Sequence, residues 1–286
     1  MSDLVKPEPL LAIDAGNSRL KFGLFQPEQN SASGISWPVC SEFMAVPVSD
    51  PVPYEQLERW AQHAPFSVVI SGSNPPVVQR LVSTWTLGNK PPLAVRDCSV
   101  IPVTARVDFP EKVGLDRLLN AVAVNVIRPA GRSAIVIDSG TATTVDYISS
   151  AGEFCGGAIL PGMELSAKAL HQYTALLPLL PVQDLGSDPV APGRNTRDAI
   201  RNGLYWGQVG AIRELIRQIC TEQGHAAPGT EAGADLSQNL SATPWLVLTG
   251  GGGPVLAPQF PEAQRIASLG MHGLVLTAWK LLQSGR

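Results

Sequence analysis

Apolar residues recur along this chain in short extended runs that alternate with helical stripes. Leu10 to Ile13 and Leu20 to Phe25 are two such runs, separated by the turn-forming stretch Asp14 to Arg19, and together they predict a β-hairpin. Residues 26 to 38 are polar and rich in turn formers. Glu55 to His63 then predicts a helix, Phe66 to Ser71 a strand and Pro75 to Trp85 a second helix. Strand and helix alternate, the order expected of an α/β fold.

Leu118, Leu119, Val122 and Val126 fall at near-helical spacing and predict a helix over Leu115 to Ile127, with Pro129 and Gly131 as its stop. An apolar run from Ser133 to Ile137 follows, then a second turn rich in acidic and small residues, then an extended pattern from Thr143 to Ile148. The opening hairpin is therefore repeated: Ile-Asp-Ala-Gly-Asn-Ser begins at Ile13, and Ile-Asp-Ser-Gly-Thr-Ala begins at Ile137. The copies lie too far apart for a solenoid repeat and predict two similar lobes, 1–130 and 131–286. In the second half, Ile200, Leu204, Ile212, Leu215, Ile216 and Ile219 mark a long helical stripe. Trp245 to Leu248 predicts a buried strand, Leu274 to Leu282 a final helix, and 224–243 a surface loop.

Composition narrows the function. At 286 residues, 44% of them apolar and 16% charged, the chain can build one large core or two. A net charge of -3 supplies no basic field, so a nucleic-acid partner is not expected. No apolar run approaches the roughly 18 residues of a membrane span, and the first residues lack a signal-peptide pattern, which predicts an untargeted cytoplasmic protein with no membrane partner. Cys40, Cys98, Cys155 and Cys220 are widely spaced, with no CxxC pair, and read as reduced thiols. His63, His171, His225 and His272 have no nucleophile motif around them and read as surface or packing residues, while Trp60, Trp85, Trp206 and Trp245 read as core.

The chemistry lies in the turns. In Asp14-Ala15-Gly16-Asn17-Ser18, glycine admits close approach of a ligand, and Asn, Ser and the exposed amides offer donors to phosphate oxygens. A carboxylate beside phosphates implies Mg2+. Taken singly this is also what an ordinary hairpin turn looks like, with Asp and Asn bonding their own backbone. Its recurrence as Asp138-Ser139-Gly140-Thr141-Ala142-Thr143 favours two acidic turns that hold a nucleotide between lobes. Gly114-Leu115-Asp116-Arg117 opens the helix that ends the first half, where the helix dipole is expected to keep Asp116 ionised. Such a carboxylate can accept a proton from a substrate hydroxyl and Arg117 can meet an anion; a helix cap with a solvated Arg is the other reading. Gly156 to Gly162 reads either as a substrate approach or as tight strand packing. Thr249 to Gly253 reads either as a slot for adenine or ribose or as a flexible loop.

Taken in order, Asp14-Ala-Gly-Asn-Ser, Gly114-Leu-Asp-Arg, Asp138-Ser-Gly-Thr-Ala-Thr, Gly156-Gly-Ala-Ile-Leu-Pro-Gly and Thr249-Gly-Gly resemble the type III pantothenate kinases of bacteria, and the series spans nearly the whole chain. That family belongs to the acetate and sugar kinase, heat-shock ATPase and actin superfamily. The resemblance implies an α/β fold of two ribonuclease-H-like lobes, each a mixed sheet with flanking helices, an interlobe nucleotide cleft and a homodimer. It implies ATP-dependent phosphorylation of pantothenate to 4′-phosphopantothenate, the first step of coenzyme A synthesis, with Mg2+ and a monovalent cation, K+ or NH4+. By position, Asp14, Ala15, Gly16, Asn17, Ser18, Arg19, Leu20 and Lys21 resemble the first phosphate loop, and Thr141 an ATP contact. Asp116 resembles the proton acceptor, and Gly114, Leu115, Asp116 and Arg117 the pantothenate segment, with Thr196 as a further pantothenate contact. Asp138 resembles the ligand of the monovalent cation. One position departs: Val107 stands where the family commonly has a tyrosine that contacts pantothenate, which leaves a kinase of another small alcohol as an alternative. A nucleotide-binding regulator on the same fold is a second.

Overall fold

The computed structural model describes residues 8–28, 37–63, 65–88, 90–181, 184, 188–228 and 243–284. The polar stretch 26–38 and the loop expected over 224–243 therefore fall largely outside the described residues, at 29–36 and 229–242. The chain divides into two compact units, one made of 1–127 with 269–286 and the other of 128–268.

The first unit is built on a five-stranded mixed sheet of order β3-β2-β1-β4-β5. Strands β1 (Leu10–Ala15), β2 (Arg19–Pro27) and β3 (Pro38–Pro47) form an antiparallel meander, and β4 (Ser67–Ser71) and β5 (Leu93–Ala94) add in parallel on the other side of β1. β1 is buried along almost its whole length, as a central strand covered on both faces must be. One face packs Leu11, Ile13, Phe22 and Leu24 against Leu57, Trp60, Val78 and Leu81 of α1 (Tyr54–His63) and α2 (Pro75–Thr84). β3 escapes the apolar pattern because it is an edge strand whose residues Cys40 to Phe43 are all exposed.

The second unit repeats this plan. Its sheet has the order β8-β7-β6-β9-β10, with β6 (Ala134–Ser139), β7 (Ala142–Ile148) and β8 (Phe154–Pro161) antiparallel and β9 (Trp245–Thr249) and β10 (Gln264–Arg265) parallel to β6. Ile135, Ile137, Val145 and Tyr147 meet α4 (Met163–Gln172) and the long α5 (Thr196–Glu222), through Met163, Ala167, Leu204, Tyr205, Ile212 and Ile216. Asn195 caps α5, its side-chain oxygen accepting from the Asp198 amide at 3.0 Å. The duplicated hairpin thus reflects duplicated topology.

The boundary drawn at 130/131 is corrected at the far end of the chain. Helix α7 (Leu269–Gln283), which follows the short α6 (Gly253–Leu256), belongs to the first unit, where it lies along α3 (Leu115–Ile127) and touches β1 and β4. The reason is steric: a side chain at Gly273 would overlap the Leu119 carbonyl, so its absence lets the two backbones touch. The Trp279 indole donates to the Glu8 carbonyl at 2.9 Å and ties the helix to the entry of β1. His272 stacks on Trp37 at 4.5 Å and meets the Phe25 ring edge-on. Burial pushes its imidazole down to about 4, so it packs as a neutral aromatic, as its sequence context indicates. Trp60 is buried, and Trp85 and Trp206 pack against the two cores.

Candidate active site

The β1–β2 hairpin closes on the pair Ala15 and Leu20, and the Gly16 amide donates to the Arg19 carbonyl at 3.0 Å. Asp14 stands directly across the sheet from Lys21, and the ammonium meets its Oδ2 at 2.8 Å. Both side chains keep about a third of their surface in water, so the pair is weak and Lys21 remains recruitable by a phosphate. The spacing that makes these two residues cross-strand partners is legible only once the hairpin register is known.

The loop after β4 is part of the same sheet edge and was not singled out by motif. At Gly72, φ is +156° and an added Cβ would overlap the Ala15 backbone, so only glycine fits. The Asn74 amide donates to the Ala15 carbonyl at 3.2 Å, and Asn17 Nδ2 reaches Ser73 Oγ at 3.5 Å.

Asp116 sits in the first turn of α3, with Oδ1 accepting from the Arg117 amide at 2.9 Å. A Cβ at Gly114 would lie 2.6 Å from that oxygen, so the glycine is what leaves room for the carboxylate in this orientation. Asp116 retains an exposed surface, yet protein atoms crowd its remaining sides. That desolvation pushes its pKa upward, and the negative charge of Asp14 adds to the rise. The Arg117 amide and guanidinium oppose the shift without cancelling it. Desolvation and the Asp14 charge thus make Asp116 a stronger base than a fully solvated aspartate.

In the second unit the Asp138 turn is one residue tighter, closing on Ser139 and Thr143 with the Gly140 amide donating to Ala142 at 3.0 Å. Thr144, not a lysine, stands opposite Asp138. The segment Thr249 to Gly253 folds onto this turn: the Gly252 amide donates to the Ser139 carbonyl at 2.8 Å, and a Cβ at Gly250, where φ is +85°, would meet Asp138 Oδ1 and Ser139. Gly251 alone of these faces open space. Gly162 donates its amide to Thr141 at 3.0 Å. Gly157 is explained by strand packing, since a side chain there would strike Val145 and Asp146. Asp138, Thr141 and the glycine segment are thus brought together within one unit, as Asp14 to Lys21 and Asp116 are in the other.

Thr196 is the first residue of α5 and lies at an apolar groove of about 780 Å³ between α4 and α5, whose walls include Leu165, Ala169, Tyr173, Leu177 and Ile200. Among the described residues no group of three acidic, His or Cys side chains is arranged to hold a metal, and no helix is long and apolar enough to cross a membrane.

The family model for type III pantothenate kinases matches residues 10–218. The chain belongs to the type III pantothenate kinase family. It is 33% identical to the type III pantothenate kinase of Thermomicrobium roseum over 276 residues, 93% of this chain and 95% of that one. Against the same enzyme of Paramagnetospirillum magneticum it is 35% identical over 277 residues, again 93% and 95%. The match to the Gluconobacter oxydans enzyme reaches 40% over 176 residues but spans only 62% of this chain and 56% of that one. Among solved structures, the activator of 2-hydroxyisocaproyl-CoA dehydratase from Clostridium difficile superposes with a TM-score of 0.50 at 12% identity, covering 97% and 96%. A protein of the Baf transcriptional-activator family from Campylobacter jejuni gives 0.52 at 18%, covering 92% and 94%. These two establish the fold alone. The arrangement above has an acidic, glycine-bearing turn on each of two similar sheets and, at the start of α3, a carboxylate of raised basicity.

Proposed function

We propose that this type III pantothenate kinase transfers the γ-phosphoryl group of ATP to the primary hydroxyl of pantothenate, giving 4′-phosphopantothenate and ADP. The observation that carries the reading is Asp116: a carboxylate of raised pKa, oriented by the Arg117 amide and by the space at Gly114, in electrostatic reach of Asp14. The pantothenate oxygen forms a bond to the γ-phosphorus, the bond from that phosphorus to the β,γ-bridging oxygen breaks, and the hydroxyl proton passes to Asp116. Asp14 to Lys21 and Thr141 contact ATP, and Gly114 to Arg117 with Thr196 bind pantothenate. The division into a lobe with the first phosphate loop and base and a lobe with the second loop and adenosine slot follows the same reading.

The donor sets suit the ions that such chemistry needs. Asp14 offers a single carboxylate, which fits Mg2+, an ion held by one or two carboxylates with phosphate oxygens and water. Bound there, magnesium would shield the phosphate charge. Asp138 faces Thr144, whose Oγ1 is buried with no hydrogen-bond partner among the described residues, and an oxygen pair of this kind suits a potassium or ammonium ion. ADP release coupled to pantothenate addition, measured in potassium, ammonium and sodium salts, tests the reading. Background release with pantothenate and release with another small alcohol would transfer the assignment to that acceptor, the outcome that Val107 favours.

Gly114→Ala is expected to lower kcat about ten-fold with little change in melting temperature, because the added methyl displaces only the Asp116 carboxylate. Wild-type turnover in this variant would remove Asp116 orientation from the account.

The homodimer is proposed to form through the α4–α5 groove. Leu165 and Tyr173 of its walls are exposed, Tyr173 at 80%, as is Leu176 next to the wall residue Leu177, and a second copy would cover them. Sedimentation equilibrium should give a dimer for the wild type and a monomer for Leu165→Asp; a dimer unaffected by the change would place the interface elsewhere.

A further inference from the structure

We propose that Ser73, on the loop between β4 and α2, is a further phosphate-contacting residue, its hydroxyl donating to ATP beside Asn17. The inference rests on the kinase reading above and extends its phosphate site from one loop to two.

β1 and β4 are parallel neighbours, with Asp14 opposite Ser71, so their carboxyl ends emerge on one sheet edge. Ligands of α/β sheets bind at such edges. The hairpin turn leaves β1 there, and Gly72-Ser73-Asn74 leaves β4 beside it.

The mount is rigid on both sides of Ser73. Gly72 is pressed onto the Ala15 backbone in a conformation that only glycine tolerates. Asn74 is fixed twice, by its amide to the Ala15 carbonyl at 3.2 Å and by its side chain to the Val77 amide at 3.4 Å. Ser71, one residue before Gly72, is buried and donates to the Val95 carbonyl at 2.9 Å. Between these fixed points the Ser73 side chain is exposed and packs in neither core. Its Oγ reaches Asn17 Nδ2 only at 3.5 Å, the outer limit of a hydrogen bond, so the hydroxyl proton and the Asn17 amide are both open to a stronger acceptor.

The helix end behind the loop does not supply that donor. α2 begins with Pro75 and Pro76, which have no amide hydrogen, and the Val77 amide is taken by Asn74. The Ser73 hydroxyl is then the side-chain donor that this loop presents beside Asn17. A constrained backbone that presents a side chain with no packing role is the pattern of a binding residue.

Two measurements on the full chain test this. Ser73→Ala should weaken binding of a non-hydrolysable ATP analogue with magnesium by about ten-fold in calorimetry, while leaving adenosine binding and the melting temperature unchanged. In turnover it should raise the KM for ATP and spare the KM for pantothenate, and Ser73→Thr, which keeps the hydroxyl, should restore the wild-type value. Unchanged analogue affinity overturns the assignment. A KM change confined to pantothenate overturns it in favour of the acceptor, and a fall in melting temperature that tracks the affinity loss overturns it in favour of a structural role. The calorimetric arm needs no pantothenate, so failure of the pantothenate assignment and failure of this inference are told apart.

Discussion

Asp116→Asn is expected to bind Mg·ATP almost as the wild type does and to turn over roughly 10²- to 10⁴-fold more slowly. The substitution keeps the shape of the side chain and its acceptor oxygen for the Arg117 amide, and removes only the capacity to take the substrate proton. The pH dependence checks the cause. Because burial and Asp14 raise the folded-state pKa of Asp116, the base becomes protonated at a higher pH than an exposed aspartate, and kcat should fall on acidification from above the ordinary carboxylate range. The stability linkage has the opposite sense: the folded state binds this proton more tightly than the unfolded one, so Asp116 destabilises the fold as pH rises through its folded pKa. Asp116→Asn should therefore match or exceed the wild-type melting temperature at neutral pH. A variant that is both inactive and unstable would indicate that the carboxylate is structural.

Gly273→Ala should lower the melting temperature and turnover together. Alanine is the better helix former by about 1 kcal/mol, but here its methyl would overlap the Leu119 carbonyl, and forcing α3 and α7 apart costs typically 1 to 3 kcal/mol or more. Overlap with backbone, which cannot rotate away, puts the cost at the upper end of that range. α3 also carries Asp116 in its first turn, so the displacement reaches the base. Gly270→Ala is the internal comparison, because its Cβ would sit 3.3 Å from the Asn120 side chain, which can adjust, and it should be milder in both respects. Equal effects of the two changes, or a Gly273→Ala variant more stable than the wild type, would show that the helices do not depend on this contact.

Much of this architecture is legible from hydrophobic period. The hairpin between Leu10 and Phe25 and its copy between Ser133 and Ile148 are readable because alternating or continuous apolar runs are cut by acidic, glycine-bearing turns. α3 matches its expected span because its apolar stripe is bounded by Gly114 and by Pro129. What stays hidden depends on partners distant in sequence. β3 is mostly exposed, and only Met44 and Val46 turn toward the core, too few positions to announce a ten-residue strand. The residence of α7 in the first unit depends on a contact between Gly273 and Leu119, which no local pattern records.

The candidate site divides in the same way. Asp14, Asp116 and Asp138 are readable because each stands just before a turn or in the first turn of a helix. The Lys21 partnership needs the strand register, and Gly72 to Asn74 needs the adjacency of β4 to β1. The upward shift of the Asp116 pKa is not readable from its place at the helix start, because crowding around a side chain has no local signature.

The first unit is discontinuous, and this has a consequence for synthesis on the ribosome. The face of α3 that receives α7 cannot be covered until Leu269–Gln283 has been made, after the whole of the second unit. The second unit is contiguous in sequence and is free to fold as soon as it emerges. Until the last helix docks, the nascent first unit keeps an apolar α3 face in search of a cover, which exposes it to chaperone capture during translation.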